Sequence, residues 1–134
     1  MSDMFTFGIE EEYFLVDAET KLVAPDVPQA FFDAAVTATD GRVSPEFLQP
    51  QIEVISSPHT NTADARAELR HLRQTVAAVA AEHGLAILAS GTHPTALWRR
   101  ALQTQKQRYD AVMHDLQMIG QRDLLCGLHV HVAL

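Results

Sequence analysis

Apolar and aromatic residues crowd the start of the chain, and Phe5, Phe7, Ile9, Tyr13, Phe14, Leu15 and Val16 predict a strand from about Met4 to Asp17. The middle of that strand breaks the pattern, because Gly8-Ile9-Glu10-Glu11-Glu12-Tyr13 sets three consecutive carboxylates inside it. Side chains alternate across a strand, so Glu10 and Glu12 share one face, roughly 6.5–7 Å apart, while Glu11 points to the other. A turn at Ala18-Glu19-Thr20 leads into a short hairpin partner around Lys21 to Ala24, and Pro25 and Pro28 end the ladder. Gln29 to Thr37 reads as a short helix with Phe31, Phe32, Ala35 and Val36 inward, followed by a turn at Asp40-Gly41. Arg42 to Leu48 and Pro50 to Ser57 read as extended, interrupted by Pro45 and ended by Pro58. In the second of these, Ile52, Val54 and Ser56 alternate with Gln51, Glu53 and Ile55, so Gln51 and Glu53 share a face.

The longest helix is capped by Asn61 or Thr62, with Asp64 in its first turn to suit the positive end of the helix dipole. Its apolar stripe runs through Ala65, Leu69, Leu72, Val76 and Val79, with Arg66, Arg70, Arg73 and Gln74 largely outside it, and Gly84 is the stop signal. Leu85 to Ala89 is a short strand that opens into the polar loop Ser90-Gly91-Thr92-His93-Pro94. A further helix is expected from about Gln103 to Gln121, and then a strand from Leu128 to Leu134. Strands and helices mix without regular alternation, which favours an α+β fold, an antiparallel β-sheet with helices packed on one face. The sequence stops inside its last strand, so residues 1–134 are expected to be the N-terminal part of a longer single domain.

Composition narrows the chemistry. The 134 residues suit one domain, with 47% hydrophobic and 20% charged residues, an ordinary balance for a globular protein. A net charge of −7, with ten Lys and Arg spread along the chain, argues against nucleic acid as a partner. The single cysteine, Cys126, excludes an internal disulfide, and its neighbours Leu124, Leu125 and Leu128 suggest a buried structural thiol. Neither a signal peptide nor an apolar run long enough for a membrane span is evident, so a cytoplasmic location without membrane association is expected.

His129 and His131 repeat the logic of Glu10 and Glu12: two residues apart on a strand, they face one side while Val130 and Val132 face the other. Glu10, Glu12, Glu53 and His129 on one sheet surface would offer carboxylate oxygens and an imidazole nitrogen to a divalent cation. The oxygen-rich set fits a magnesium-type ion better than zinc. A solvent-exposed acidic strand face and a half-exposed sheet edge are the structural alternatives. His131 can be a second ligand, a substrate donor or a neighbour, and His93 a ligand contact or a surface residue. No glycine-rich phosphate loop and no nucleophile elbow is present.

Five segments in order carry a resemblance: Phe7 to Tyr13; Gln51-Ile52-Glu53-Val54 with Ser57-Pro58; Ser90 to Pro94 with Trp98; Arg108-Tyr109; and Gly127 to Val132. Together they resemble the glutamate–cysteine ligase type 2 family, the bacterial ATP-dependent carboxylate–amine ligases. The resemblance implies a glutamine synthetase-like fold in which a curved antiparallel sheet holds ATP and magnesium, or manganese, on its inner face. It implies that a substrate carboxylate, such as the γ-carboxylate of glutamate, attacks the γ-phosphate of ATP. An amine such as that of cysteine then displaces phosphate from the acyl-phosphate. By motif matching, Glu10, Glu12, Glu53 and His129 would be the catalytic, metal-holding residues, and Arg108, His131, Thr92 and His93 would contact ATP or substrate. Glu11 is the expected non-ligand, and Glu11→Gln is expected to do little. The family's enzymes are more than twice this length, so the chain by itself would lack part of the site, and weak glutamate–cysteine ligase activity is expected of an intact protein. A non-catalytic metal- or nucleotide-binding module, or a subunit of a homo-oligomer paired through the open edge of the last strand, are the alternatives.

Overall fold

The computed structural model describes residues 5–45, 50–96 and 125–133. In chain order the elements are β1 (Phe7–Asp17), α1 (Gln29–Ala38), β2 (Val43–Pro45), β3 (Gln51–Ile55), α2 (Thr62–Glu82), β4 (Leu85–Leu88) and β5 (Leu128–Val132). The expected helix at 103–121 and the motif residues Trp98, Arg108 and Tyr109 lie outside the described residues.

β1 is the hub of the sheet. One of its edges carries β3, which in turn carries β2; the other is divided, with β4 on the C-terminal half of β1 and β5 on the N-terminal half. Every pairing is antiparallel, as the irregular succession of strands and helices predicts. The ladder of β1 and β3 continues beyond the strands, where Phe7 and His59 exchange backbone hydrogen bonds of 2.8 and 2.7 Å and the Ile9 N–H donates to the Ser56 hydroxyl at 2.9 Å.

Alternation sorts the sheet into two faces. Tyr13, Leu15, Ile52, Val54, Val43 and Leu85 point to one side and meet Phe31, Phe32 and Ala35 of α1 and Leu72, Val76, Val79 and Ala80 of α2 in one core. Tyr13, Leu15, Ile52, Val54, Phe31 and Val76 are fully buried there, each worth about 1.5–3 kcal/mol if aliphatic or phenyl in character. Val36, expected inward, is instead exposed, because α1 turns its narrow stripe through Phe31, Phe32 and Ala35 and leaves the following position over solvent. Asn61 caps α2 by accepting from the Asp64 N–H at 2.9 Å. Gly84 ends the helix region at a φ of 68°, the left-handed conformation that glycine adopts without strain.

The expected hairpin partner at 21–24 is reduced to a single bridge between Val16 and Val23, since Lys21 takes a φ of 61° to close the turn. At the end of β3, Glu68 of α2 accepts from the Ser57 N–H at 2.8 Å and the Ser57 hydroxyl at 2.9 Å, and pairs with the His59 imidazole. This clip ties the helix to the sheet. Among the described residues no helix is long and apolar enough to cross a membrane.

Candidate functional site

The face of the sheet away from the helices carries the acids. Register sets Glu10 opposite His129 of β5, Glu12 opposite Glu53 of β3, and Gly8 opposite His131. Directly opposed residues of an antiparallel pair hold their Cβ atoms about 4.5–5.5 Å apart, so three strands bring these side chains to one patch. A donor atom from each of Glu10, Glu53 and His129 lies within 4.8 Å of the other two. The His129 Nδ1 edge faces two acids, 3.6 Å from a Glu10 oxygen and 3.8 Å from Glu12 Oε1. His131 Nε2, from the same strand, approaches the same oxygen, Glu10 Oε2, at 2.9 Å.

Glu12 is on the same face but is held differently. Its Oε2 accepts from the Gly127 N–H at 2.7 Å, while its own N–H donates to the Gly127 carbonyl at 3.0 Å. Only Oε1 is turned toward His129. The carboxylates are partly shielded, with side-chain exposures of 29% for Glu10 and 13% for Glu12, so their mutual repulsion is less screened than at an open surface. Two carboxylates and an imidazole at these separations fit a divalent cation that prefers oxygen. Beside Glu10 and His131 a groove of about 380 Å³, with Gly8, Ile55 and Pro58 in its walls, offers room for a small molecule.

The segment before β5 pairs with β1 at Gly127 and with Gly91 and Thr92, and it borders the patch. The Gln51 side-chain amide donates to the Leu125 carbonyl and lies 3.2 Å from Cys126 Sγ, and the Cys126 N–H donates to Gly91 at 3.0 Å. Cys126 packs on Phe14 and Val16, a small second cluster on the open face. It is half-buried, and Leu125 and Leu128 are exposed, so the buried environment expected from its neighbours is only partly formed. Leu128 opens β5 opposite Glu11 and Leu125 bridges to Thr92, so both are paired through their backbones while their side chains stay exposed.

Thr92 and His93 fall outside the acid patch. Thr92 is exposed and bridges to Leu125, and the half-buried His93 sets its ring edge-on to Phe14 with centroids 5.9 Å apart. His93 Nε2–H donates to the Lys21 carbonyl at 3.1 Å, and Nδ1 accepts from the Thr95 N–H at 3.2 Å. Arg108 lies outside the described residues.

Behind the patch, Glu11 points to the helix side as alternation requires, but it is not idle. Its carboxylate, 7% exposed as a residue, accepts from the Tyr13 hydroxyl on one oxygen and pairs with the Arg73 guanidinium on the other. Arg73 Nε also donates to the Tyr13 oxygen at 3.4 Å. Burial, reinforced by the Glu11 carboxylate, pushes the Tyr13 hydroxyl well above the usual tyrosine range, so it stays a donor. The expectation that Glu11→Gln does little concerns binding on the acid face, from which Glu11 points away; its role is structural, anchoring α2 to β1. An acid at an inward strand position between Ile9 and Tyr13 calls for a cation on the covering helix, and Arg73, next to Leu72 on the stripe, is in reach.

Residues 6–134 match the model of the glutamate-cysteine ligase family 2. A protein of Bradyrhizobium sp. (strain ORS 278), provisionally named glutamate–cysteine ligase 2, is 55% identical over 130 residues, covering 97% of this chain and 32% of that one. A protein of Ruegeria pomeroyi with the same provisional name is 46% identical over 134 residues, covering all of this chain and 35% of its own length. The chain thus spans about a third of the length of these curated relatives. Among solved structures, a glutamate–cysteine ligase of Francisella tularensis, crystallised with AMP, superposes with a TM-score of 0.74 at 15% identity over 96% of this chain and 27% of that one. A bifunctional glutathione synthetase of Pasteurella multocida gives 0.74 at 18% identity over 97% and 17%. At these identities the two structures speak for the fold, an antiparallel sheet backed by helices.

Proposed function

The chain belongs to the glutamate-cysteine ligase family 2, and from that premise we propose that it is the N-terminal part of a single-domain, ATP-dependent carboxylate–amine ligase acting on small molecules in the cytoplasm. The observation that carries the reading is the convergence of Glu10, Glu53 and His129 from three strands onto one patch beside an open groove. The AMP in the Francisella tularensis crystal supports a nucleotide on this fold.

Glu10, Glu53 and His129 would hold magnesium or manganese, with Glu12 Oε1 as a further donor, and His131 would orient the Glu10 carboxylate. A bound divalent ion supplies positive charge that offsets repulsion between triphosphate and substrate carboxylate and steadies the transferring phosphoryl group. An oxygen of the substrate carboxylate attacks the γ-phosphorus and ADP leaves; the amine nitrogen then attacks the acyl carbon and inorganic phosphate leaves, giving a γ-glutamyl-type amide. Thr92 and His93, outside the acid patch, would contact ATP or substrate, and Arg108 would hold an anionic group of either. The remaining length of the relatives would supply further contacts, so the 134 residues alone are expected to bind rather than to turn over.

Calorimetric titration of a non-hydrolysable ATP analogue, with and without magnesium, tests this. Magnesium-dependent binding that is lost in Glu10→Gln is the expected result. Binding that is indifferent to magnesium, or unchanged in Glu10→Gln and Glu53→Gln alike, would refute it.

A further inference from the structure

Gly127 lies one residue outside β5 and makes three contacts with the acid patch. Its N–H donates to Glu12 Oε2 at 2.7 Å, and its carbonyl accepts from the Glu12 N–H at 3.0 Å. Where a Cβ would stand, His129 is already present: the position falls 2.8 Å from Nε2, 3.2 Å from Cε1 and 3.5 Å from Cδ2. Positive φ among the described glycines is confined to Gly41 and Gly84, so the backbone at 127 does not itself require glycine. What requires it is space. The His129 ring is seated with its Nε2 edge on the bare Cα of Gly127 and its Nδ1 edge toward Glu10 and Glu12.

We infer that Gly127 is a positioning residue of the site, seating the His129 imidazole against its Cα while its peptide groups fix Glu12. The inference rests on the metal-holding role proposed above for that site. The segment is itself anchored, by Gln51 on the Leu125 carbonyl and by Gly91 on the Cys126 N–H, so the seat does not shift readily. A methyl group at 127 meets the tip of a side chain rather than backbone, so the imidazole swings aside and the fold survives. Outer partners that orient a ligating histidine are worth about 10–100-fold in metal affinity.

Two measurements test the inference. In the metal-free, unsubstituted protein, a nuclear Overhauser effect between the Gly127 Hα protons and the His129 ring is expected, and its absence overturns the seating. Manganese affinity, followed by electron paramagnetic resonance, should fall about 10–100-fold in Gly127→Ala. In a His129→Ala background the same substitution should change affinity less than about twofold, because the ring it displaces is gone. Unchanged affinity in Gly127→Ala, or an equal loss in both backgrounds, overturns the inference. Should Gly127→Ala fail to fold, the His129→Ala/Gly127→Ala protein is expected to fold, and its failure as well counts against it. If the unsubstituted protein binds no manganese, the metal-holding role falls, while the Overhauser contact still decides the seating of the ring.

Discussion

Glu11→Gln separates the two faces of β1. In the native arrangement both carboxylate oxygens accept, one from Tyr13 and one from Arg73. An amide has one acceptor oxygen and one donor nitrogen. If the oxygen turns to Arg73, the amide N–H meets the Tyr13 hydroxyl, whose proton loses its acceptor; in the other orientation two donors face each other. A hydrogen bond to a charged group is worth about 1.5–3 kcal/mol and a neutral one about 0.5–1.5. The Arg73 side chain is 52% exposed and can recruit water, which reduces its share. The net cost is therefore about 2 kcal/mol, drawn mostly from the Tyr13 contact, where burial leaves no water to replace the lost acceptor. Urea unfolding should show a lower midpoint with an unchanged slope, while manganese affinity stays within about twofold of the unsubstituted protein. Unchanged stability together with a loss of metal binding as large as that of Glu10→Gln would refute the division of the faces.

Two other tests bear on the supports of the site. Hydrogen bonds from His59 and Ser57 outweigh the upward effect of burial and hold the Glu68 carboxyl below its ordinary range. Its contribution to stability should be complete above about pH 4.3 and be lost as pH falls through the lower, folded-state value. Acid titration of the unfolding midpoint should show this, and Glu68→Gln should flatten that part of the curve. Asn61→Ala, which removes the cap of α2, should lower stability by about 1 kcal/mol in the same urea assay and leave metal affinity unaltered.

Period-two alternation makes the acid face legible in the sequence. Glu10, Glu12, Glu53 and His129 share it, and Glu11 lies opposite. The stripe Ala65, Leu72, Val76 and Val79 and the stop at Gly84 are equally plain, because a helix with one buried face records that face locally. Less local features leave no such trace. Arg73 sits at the rim of the stripe, and its partner lies 62 residues away. Gly127 is one glycine among six, and only the rotamer of His129, which fills the space beside it, sets it apart. The leucines around Cys126 suggest burial by composition, yet Leu125 and Leu128 stay exposed, and the segment is held by Gln51 from 74 residues away. Val36 departs from expectation for a simpler reason: a short helix buries a narrow stripe, and a fourth apolar residue falls off its edge.

The divided edge of β1 also bears on the order in which the molecule is built. The β1–β3 side can join through the Ile9–Ser56 contact, closing 47 residues, whereas the Glu12–Gly127 contact must close 115. Each doubling of a loop adds only about 0.6 kcal/mol of closure entropy, but non-local pairings of this kind are slow to find. β5 is therefore expected to dock late, bringing the histidines to the acids towards the end of folding. A cation that needs His129 would have little to grip in the folding transition state. Its binding would act chiefly by slowing escape from the native state, extending the lifetime of the folded chain without hastening its formation.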